Sequence, residues 1–443
     1  PPRPHEPLFR ETIRDAGLNR YLFEMANIRD QNTWVHMNDP ARATAKAKDL
    51  VRMAVAKAAH IEPLHQVSLD INKTALVVGG GVAGMEAALG VADQGCDVVL
   101  VERSDQLGGV ANQLGTTWQG EPIAPYLART IERVQSHPRI RLHTCSEVGR
   151  TTGSIGNFST TLVAANGEQK QTVVSHGATI LATGGGEYKP DLYLYGQHPD
   201  VLTHLDMDAA MAAEDKRLPR ARSVVFIQCV GSRDDNRPYC SKICCTHSLK
   251  SALAVKRFDP KKKVSIIYRD IRAYGFREDL YKEARESGIL FIRYDPDDPP
   301  RVAADADKHL VLDVTDHVLR LPVRLRPDLL VLATGVVPGA NRELYENFKV
   351  PVNADGFLVE AHAKLRPVDF SSEGIYLAGL AHYPKPLEES IAQARAAASR
   401  AMTLLSRDAI MVGGVVATVD TGKCAACLTC VRACPYDIPR VDE

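Results

Sequence analysis

The sequence predicts an α/β protein with two strand-and-helix units, a helical segment before them and a cysteine-rich segment after them. Two observations lead to this prediction. Continuous apolar runs of strand length, which are typical of buried parallel strands, alternate with helical patterns in both units. A glycine-rich turn directly follows the first of these runs, as in doubly wound α/β domains.

Changes of pattern divide the chain into five segments. They are an N-terminal helical segment (1–72), the first half of the first domain (73–205), a second Rossmann-like domain (206–326), the second half of the first domain (327–407) and a C-terminal cysteine-rich segment (408–443). Short alternating strands between residues 139 and 174 predict a β-meander inside the first domain. The length of 443 residues fits two to four domains of about 150 residues each.

Composition excludes several classes of function. Lys and Arg number 54, as do Asp and Glu, so the net charge is zero and nothing favours binding to nucleic acid or an anionic membrane. The longest nearly unbroken apolar stretch, 409–419, is shorter than the ~20 residues of a membrane-spanning helix. No secretory signal is recognisable. We therefore expect a soluble cytoplasmic protein without a membrane span.

The glycine-rich turn predicts a dinucleotide site. Gly79, Gly81 and Gly84 form G-x-G-x-x-G between the apolar strand 74–78 and a helix whose N-terminus would face a pyrophosphate. Glu102 ends the next strand, where an acid accepts a hydrogen bond from a ribose hydroxyl. The alternative is a glycine turn with a structural role only. Agreement of strand, glycines, helix and acid favours dinucleotide binding.

Further motifs indicate FAD. Ala182-Thr183-Gly184 and Ala333-Thr334-Gly335 each follow a buried strand, and 374–379 precedes an Ala-rich helix. Over residues 74 to 405 this set resembles the two-dinucleotide-domain flavoproteins of the thioredoxin reductase class. The resemblance implies FAD bound by Gly79, Gly81, Gly84, Glu102, Arg103, Gly109, Thr183, Gly184 and Gly379. Leu380 stands where that class has an Asp that bonds to the cofactor.

The second unit lacks the corresponding nucleotide motif. After the strand 223–228 the chain has Cys229-Val230-Gly231-Ser232-Arg233 instead of a Gly-rich turn. One glycine does not allow the close backbone approach that three allow. We infer that this unit keeps the fold but carries a metal centre in place of a nucleotide.

Eight of the ten cysteines fall into two groups, which are Cys229, Cys240, Cys244 and Cys245, and Cys424, Cys427, Cys430 and Cys434. In an enzyme-sized chain without export features, such groups indicate metal ligands rather than disulfides. The first group has the spacing C-x10-C-x3-C-C, and four thiolates can hold a [4Fe-4S] cluster. A zinc site and a set of inert buried thiols are the alternatives.

The second group follows the bacterial ferredoxin spacing C-x2-C-x2-C-x3-C-P. In two-cluster ferredoxins the fourth cysteine of such a run binds the other cluster, but no second run follows before residue 443. We expect the sequence to end inside a ferredoxin domain, with Cys434 serving a second cluster. The alternative is a single cluster bound by all four cysteines.

The run from Cys229 to Arg233 and the run Pro238-Tyr239-Cys240-Ser241-Lys242-Ile243-Cys244-Cys245 resemble the signature of the heterodisulfide reductase A-subunit family. The stretches 5–9 and 34–36 are similar to that family too, so the resemblance covers nearly the whole chain. It implies an FAD protein that splits electron pairs between a high-potential and a low-potential route, with iron–sulfur clusters carrying the electrons away.

The resemblance also implies roles for single residues. It places Lys250 near flavin N5, where a cation would favour the anionic reduced flavin; a solvated helix lysine is the alternative. Asn32 stands where family members have a cysteine ligand, so we expect no cluster in residues 1–72. The ferredoxin module that some members carry after the β-meander is absent, which makes this a short form.

We therefore expect an FAD and [4Fe-4S] electron-transfer subunit of a larger redox complex, without nucleic acid as a partner and without a membrane span. The resemblance implies partners similar to the B- and C-type subunits of heterodisulfide reductase, a hydrogenase or dehydrogenase component for electron input, ferredoxin, and a second copy of the chain. One alternative is a related subunit of a quinone-linked or aromatic-ring-reducing complex without bifurcation. Another is a non-catalytic assembly subunit.

Overall fold

A computed structural model describes residues 5–165, 171–414, 417, 419–434 and 438–441. The chain divides into two compact units, one formed by residues 1–69 together with 409–443 and the other by residues 70–408. The N-terminal and C-terminal segments, which the sequence pattern separates, therefore belong to one unit.

The α-helices of the described residues are α1 (Glu6–Asp15), α2 (Pro40–Ala58), α3 (Val82–Ala92), α4 (Ile123–Ser136), α5 (His204–Ala212), α6 (Arg217–Arg220), α7 (Cys244–Phe258), α8 (Glu278–Glu286), α9 (Arg342–Asn347), α10 (Leu387–Leu405) and α11 (Thr429–Ala433). The strands are β1 (Val67–Asp70), β2 (Thr74–Val78), β3 (Asp97–Val101), β4 (Ile140–His143), β5 (Ser146–Ser154), β6 (Asn157–Ala164), β7 (Gln171–His176), β8 (Ala178–Leu181), β9 (Gly185–Glu187), β10 (Val201–Thr203), β11 (Ser223–Val230), β12 (Lys263–Tyr268), β13 (Leu290–Arg293), β14 (Arg301–Ala304), β15 (Leu310–Asp316), β16 (Leu321–Leu325), β17 (Leu329–Thr334), β18 (Val336–Pro338), β19 (Ile375–Leu377) and β20 (Ala409–Val412).

The first lobe of the larger unit is built on a parallel sheet with the strand order β19-β8-β2-β3-β4. Its central strands are apolar and buried, as strands covered on both faces must be. Strands β5, β6 and β7 form the predicted antiparallel meander. Helices α3 and α10 pack together so closely that a Cβ atom on Gly90 would lie 2.9 Å from the Cβ atom of Ala398.

The second lobe is a parallel sheet with the order β10-β17-β11-β12-β13, accompanied by the antiparallel sheet β14-β15-β16. Strands β10 and β17 lie outside the predicted second domain of residues 206–326, yet they pair with each other, and β17 also pairs with β11. The predicted boundaries therefore need correction, and this lobe extends from residue 201 to residue 334. The physical reason is that every residue of β17 is buried, so both edges of this strand must be hydrogen-bonded. Strands β10 and β11 make those bonds.

A short antiparallel ribbon connects the two lobes. Strand β9 leaves the first lobe and β18 returns to it, with Gly185 opposite Pro338 and Glu187 opposite Val336. The second lobe is therefore an insertion into the first, and both of its connections run side by side.

In the smaller unit, β1 pairs with β20. The backbone N–H of Gly414 donates to the hydroxyl of Tyr21 at 2.7 Å. Asn32 is buried, and its side-chain amide donates to the carbonyl oxygen of Ala43 at 3.0 Å. Within the described part of the chain, no helix combines the length and the apolarity needed to cross a bilayer.

Candidate flavin and iron–sulfur site

The larger unit contains a cavity of about 1040 Å³. Its walls come from the glycine turn after β2, the ends of β3 and β8, the start of α10 and the first turns of α7. Eight of the nine predicted cofactor-binding residues line it, and these are Gly79, Gly81, Glu102, Arg103, Gly109, Thr183, Gly184 and Gly379. Gly84 lies under the turn instead. The fold therefore brings the predicted set together at one place.

The glycines shape a cradle at the N-terminus of α3. Gly79 has a φ of +110°, and a Cβ atom there would lie 2.3 Å from the carbonyl oxygen of Ala182. A Cβ atom on Gly84 would lie 1.8 Å from the carbonyl oxygen of Gly79. Gly81 caps the helix, and its Cβ position has no atom within 4 Å. This turn leaves open space in front of free helix N–H groups, which fits the pyrophosphate of FAD.

Glu102 is fixed at the edge of this cradle. One of its carboxylate oxygens accepts from the backbone N–H of Gly80 at 2.6 Å, and the other accepts from the N–H and the hydroxyl of Ser104, each at 2.8 Å. An ionised carboxylate has about four acceptor sites, so one remains for a ribose hydroxyl. Arg103 is exposed at the same rim.

The opposite wall is formed by residues after β8 and β19. Thr183 shares a hydrogen bond of 2.7 Å with the hydroxyl of Tyr345. Gly184 has a φ of +75° and open space at its Cβ position, whereas a Cβ atom on Gly379, at φ +74°, would lie 2.7 Å from the Cβ atom of Ala83. Leu380 lines the cavity where the thioredoxin reductase class has an Asp.

Lys250 lies in the wall that α7 contributes, and it is largely buried rather than a solvated helix lysine. Its Nζ donates to the carbonyl oxygen of Thr116 at 3.1 Å and lies 3.5 Å from a carboxylate oxygen of Asp208. The other carboxylate oxygen is 3.0 Å from Nε2 of His247. Burial raises the pKa of Asp208, but the hydrogen bond from His247 and the charge of Lys250 outweigh it and hold this pKa well below its usual range.

Lys385 is a cavity residue that the sequence patterns did not reveal. It is 9% exposed, and its Nζ donates to the carbonyl oxygen of Gly379 at 2.7 Å and lies 3.5 Å from Nδ1 of His382. It forms no ion pair with a carboxylate among the described residues. Burial, followed by the charge of Lys242, lowers the pKa of Lys385 to about 7. The available signal was a cation directly before a helix N-terminus, where an acidic residue is favoured.

The first cysteine group lies beside this cavity. Cys244 and Cys245 begin α7 and are buried, and the neighbouring Lys242, Ile243 and Thr246 line the cavity. Burial raises the pKa of Cys244, and the charges of Cys245, Cys229 and Cys240 raise it further. The other three thiols therefore lie close enough to Cys244 to interact with it electrostatically.

Burial also raises the pKa of Cys245 to about 12, and it raises the pKa of Cys229. Burial makes these thiols resist ionisation, so a bound metal would be needed to hold them as thiolates. Among the residues that the structure describes, no three Cys, His, Asp or Glu side chains are gathered closely enough to hold one metal ion.

The second cysteine group lies in the smaller unit. Cys424, Cys427 and Cys430 are exposed and Cys434 is partly buried. Ala426 and Leu428 have φ values of +51° and +59°, which turn the backbone tightly between successive cysteines. Hydrogen bonds from the side chain and the backbone of Thr429 hold the pKa of Cys427 below its usual value. A lowered thiol pKa favours the thiolate that a cluster needs.

Comparison with known proteins supports both cofactors. Residues 75–178 match the family described as FAD dependent oxidoreductase, and residues 417–440 match the 4Fe-4S binding domain. The first range contains the glycine cradle, and the second contains Cys424, Cys427, Cys430 and Cys434.

A relative from Methanopyrus kandleri, the second iron–sulfur A-subunit of its CoB–CoM heterodisulfide reductase, is 35% identical over 529 aligned positions, which cover 98% of this chain and 80% of the relative. The chain belongs to the heterodisulfide reductase A-subunit family. It is therefore an electron-transfer subunit of the oxidoreductase class that uses FAD and an iron–sulfur cluster.

Other family members agree with this assignment. The A-subunit of the H2:CoB–CoM heterodisulfide,ferredoxin reductase of Methanothermobacter thermautotrophicus is 34% identical, over 100% of this chain and 80% of the relative. A heterodisulfide reductase A-subunit-like protein of Archaeoglobus profundus is 31% identical, over 98% and 81%. The 529-position alignment is longer than the 443-residue chain, so the Methanopyrus relative contains residues without a counterpart here, as expected for a short form.

Solved structures confirm the fold. Thioredoxin reductase of Lactococcus lactis is 17% identical with a TM-score of 0.53, over 75% of this chain and 99% of that one. Thioredoxin reductase of T. acidophilum is 16% identical with a TM-score of 0.51, over 75% and 98%. The family member therefore has the two-lobed architecture that the motifs predict.

Proposed function

We propose that this chain is the flavin-containing hub of a multi-subunit redox complex and that its flavin divides electron pairs between two one-electron routes. One observation carries the proposal: α7 begins with two cysteines of the first group, and the same helix forms a wall of the flavin cavity. FAD, when bound, supplies the exchange between two-electron and one-electron chemistry that such a division requires.

The first cysteine group is proposed to hold a [4Fe-4S] cluster. Lys242 and Ile243, between its cysteines, and Thr246, after them, line the cavity, so an electron would travel a short path from flavin to cluster. If the first cysteine group bound zinc instead, the wall of the flavin cavity that α7 contributes would have no redox-active group beside it. The alternative of inert thiols does not account for four cysteines close enough for their charges to act on Cys244, in the lobe that lacks the nucleotide motif.

The chain's own residues have distinct proposed roles. The cradle of Gly79, Gly81 and Gly84 binds the pyrophosphate, and Glu102 orients the ribose. Lys250 presents a cation to the flavin, and Asp208 is a positioning residue that holds the Lys250 ammonium group in place from within the protein. Such a fixed cation favours the anionic reduced flavin and so separates its two one-electron potentials.

The partners are proposed from the relatives' names and from the family resemblance. The Methanothermobacter relative is named as part of a reductase that acts with H2, the CoB–CoM heterodisulfide and ferredoxin. For this chain we propose a cytoplasmic complex with B- and C-type subunits, a hydrogenase or dehydrogenase input, ferredoxin, and a second copy of the chain. A related complex without bifurcation is the second candidate.

Anaerobic purification followed by iron, zinc and flavin analysis tests the cofactor assignment. We expect one FAD per chain, iron in both cysteine groups and no stoichiometric zinc. Replacing Cys244 and Cys245 with Ser should remove only the iron of the first group. Zinc in that group, or a chain without flavin or iron after reconstitution, would contradict the proposal.

Bifurcation itself is tested with the partners that co-purify with the chain. We expect one low-potential acceptor to be reduced for each high-potential acceptor, with neither reduced at full rate alone. Independent reduction of the two acceptors would favour the related complex without bifurcation.

A further inference from the structure

A second, smaller cavity of about 140 Å³ lies in the second lobe. Three arginines line it: Arg233 follows β11, Arg269 follows β12, and Arg293 ends β13. These strands are parallel neighbours, so their carboxyl ends meet at this edge of the sheet. Ligands of open α/β sheets bind at that edge, which makes the cavity a candidate site.

Two of these arginines keep uncompensated charge. Arg233 forms an ion pair with Asp270. Arg269, by contrast, donates to neutral acceptors, from Nε to the hydroxyl of Tyr294 at 3.1 Å and from a terminal nitrogen to the carbonyl oxygen of Arg233 at 2.6 Å. Arg293 donates from Nε to the carbonyl oxygen of Arg269 at 2.9 Å. Neither forms an ion pair with a carboxylate of a described residue, and both retain free N–H donors.

The surroundings favour a small anion over an acidic protein. Two carboxylates also line the cavity, Asp270, which pairs with Arg233, and Asp295, which pairs with His317 at 3.2 Å, and the chain continues to Asp297 and Asp298. A partner protein with an extended acidic surface would be repelled by these carboxylates. A volume of 140 Å³ accommodates one tetrahedral oxyanion with a few waters, at about 30 Å³ for each water.

The pocket also adjoins the first cysteine group. A terminal nitrogen of Arg233 lies 3.9 Å from Sγ of Cys229. Arg269 donates to the carbonyl oxygen of Arg233 at 2.6 Å, so a second guanidinium lies against the backbone of the residue that contacts this thiol. Positive charge near a cluster favours its reduced state. An anion bound beside Arg269 and Arg293 would neutralise positive charge near the cluster and so make reduction less favourable.

We propose that this pocket binds an oxyanion of the phosphate or sulfate class and that binding lowers the reduction potential of the cluster held by the first cysteine group. The first half is independent of the proposed function. The second half rests on it, because it requires the cluster.

Calorimetric titration of the full-length holoprotein with inorganic phosphate, in a buffer free of other oxyanions, tests the binding. We expect saturable binding that weakens at least tenfold in Arg293→Gln and in the double variant Arg269→Gln/Arg293→Gln. Arg324→Gln, which alters an exposed arginine paired with Asp313 on another sheet, is the matched control and should bind as the wild type does. Equal binding by all variants would overturn the proposal.

Two further ligands distinguish the source of the oxyanion. Adenosine monophosphate that binds no tighter than phosphate indicates a free-anion site, and much tighter binding indicates a nucleotide phosphate; both outcomes keep the oxyanion. Adenosine that binds as well as its monophosphate would overturn it. Absence of phosphate binding, with an acidic electron carrier bound by the wild type and lost in the double variant, would replace the proposal with a protein-docking surface.

Redox titration of the cluster, followed by electron paramagnetic resonance with and without phosphate, tests the coupling. We expect phosphate to shift the one-electron reduction equilibrium about tenfold toward the oxidised cluster, which is about 59 mV for one electron. The Arg293→Gln variant should need at least tenfold more phosphate for the same shift. An unchanged potential with saturated phosphate refutes the coupling, whereas a chain without iron in this group refutes the proposed function instead.

Discussion

Replacing Lys385 with Met should stabilise the flavin-free protein at neutral and acidic pH. The ammonium group is 9% exposed and has no ion-pair partner among the described residues. Burial and the charge of Lys242 lower its pKa from 10.5 to about 7, against the smaller opposing effects of Glu389 and Glu360. At 1.36 kcal/mol for each pKa unit, a shift of about 3.5 units means that the charged lysine lowers the free energy of unfolding by about 5 kcal/mol.

The direction of the pH dependence follows from proton binding. Between pH 7 and 10.5 the unfolded chain holds this proton and the folded chain does not, so the free energy of unfolding rises with pH across this window. Below pH 7 the full destabilisation is present, and above 10.5 it is gone. The increase in the free energy of unfolding caused by Lys385→Met should therefore be largest near pH 6 and vanish near pH 10.5.

Urea denaturation followed by circular dichroism at several pH values measures this gain. Lys282→Met, at an exposed position on α8, is the matched control and should change the free energy of unfolding by less than ~0.5 kcal/mol. A Lys385→Met variant that is no more stable than the wild type at pH 6 would refute the reasoning. A gain that persists unchanged at pH 10.5 would refute it as well.

Three further predictions concern the flavin cavity. Gly84→Ala should destabilise the protein by about 3 kcal/mol in urea denaturation, because its Cβ atom would lie 1.8 Å from a carbonyl oxygen. Gly81→Ala, whose Cβ atom would lie in open space, should fold normally but lose FAD in a spectroscopic binding assay. Lys250→Ala should keep FAD bound but move its one-electron potentials in a redox titration, and unchanged potentials would count against its role. Asp208→Asn should shift the same potentials in the opposite direction, because Lys250 loses its neutralising partner, while FAD content stays constant.

The sequence predicts those parts of the fold that local pattern determines. Strands β2 and β3 are continuous apolar runs next to a glycine turn, and the Ala-rich α10 has one apolar face and a Pro immediately before it, so their positions follow from neighbouring residues. The assignment of β10 and β17 to a sheet does not follow in this way. A buried apolar strand pairs equally well in either sheet, and only the complete arrangement of the chain selects one.

The candidate site shows the same division. The glycines and cysteines are recognisable because their backbone freedom and their thiol chemistry are properties of single residue types. Lys385 and Asp208 are not recognisable in this way, because a lysine and an aspartate in a sequence are most often solvated. Their importance arises from burial beside the cavity, which depends on segments far apart in the chain.

The ribbon of β9 and β18 bears on how this architecture changes in evolution. Because both connections to the second lobe pass through one pair of adjacent strands, the lobe is an inserted segment whose first and last residues lie next to each other. Its sequence can diverge, or be replaced, without altering the order of strands that carries the flavin cradle. Exchange of such an inserted lobe would be a simple route by which one flavin scaffold acquires second lobes with different binding properties.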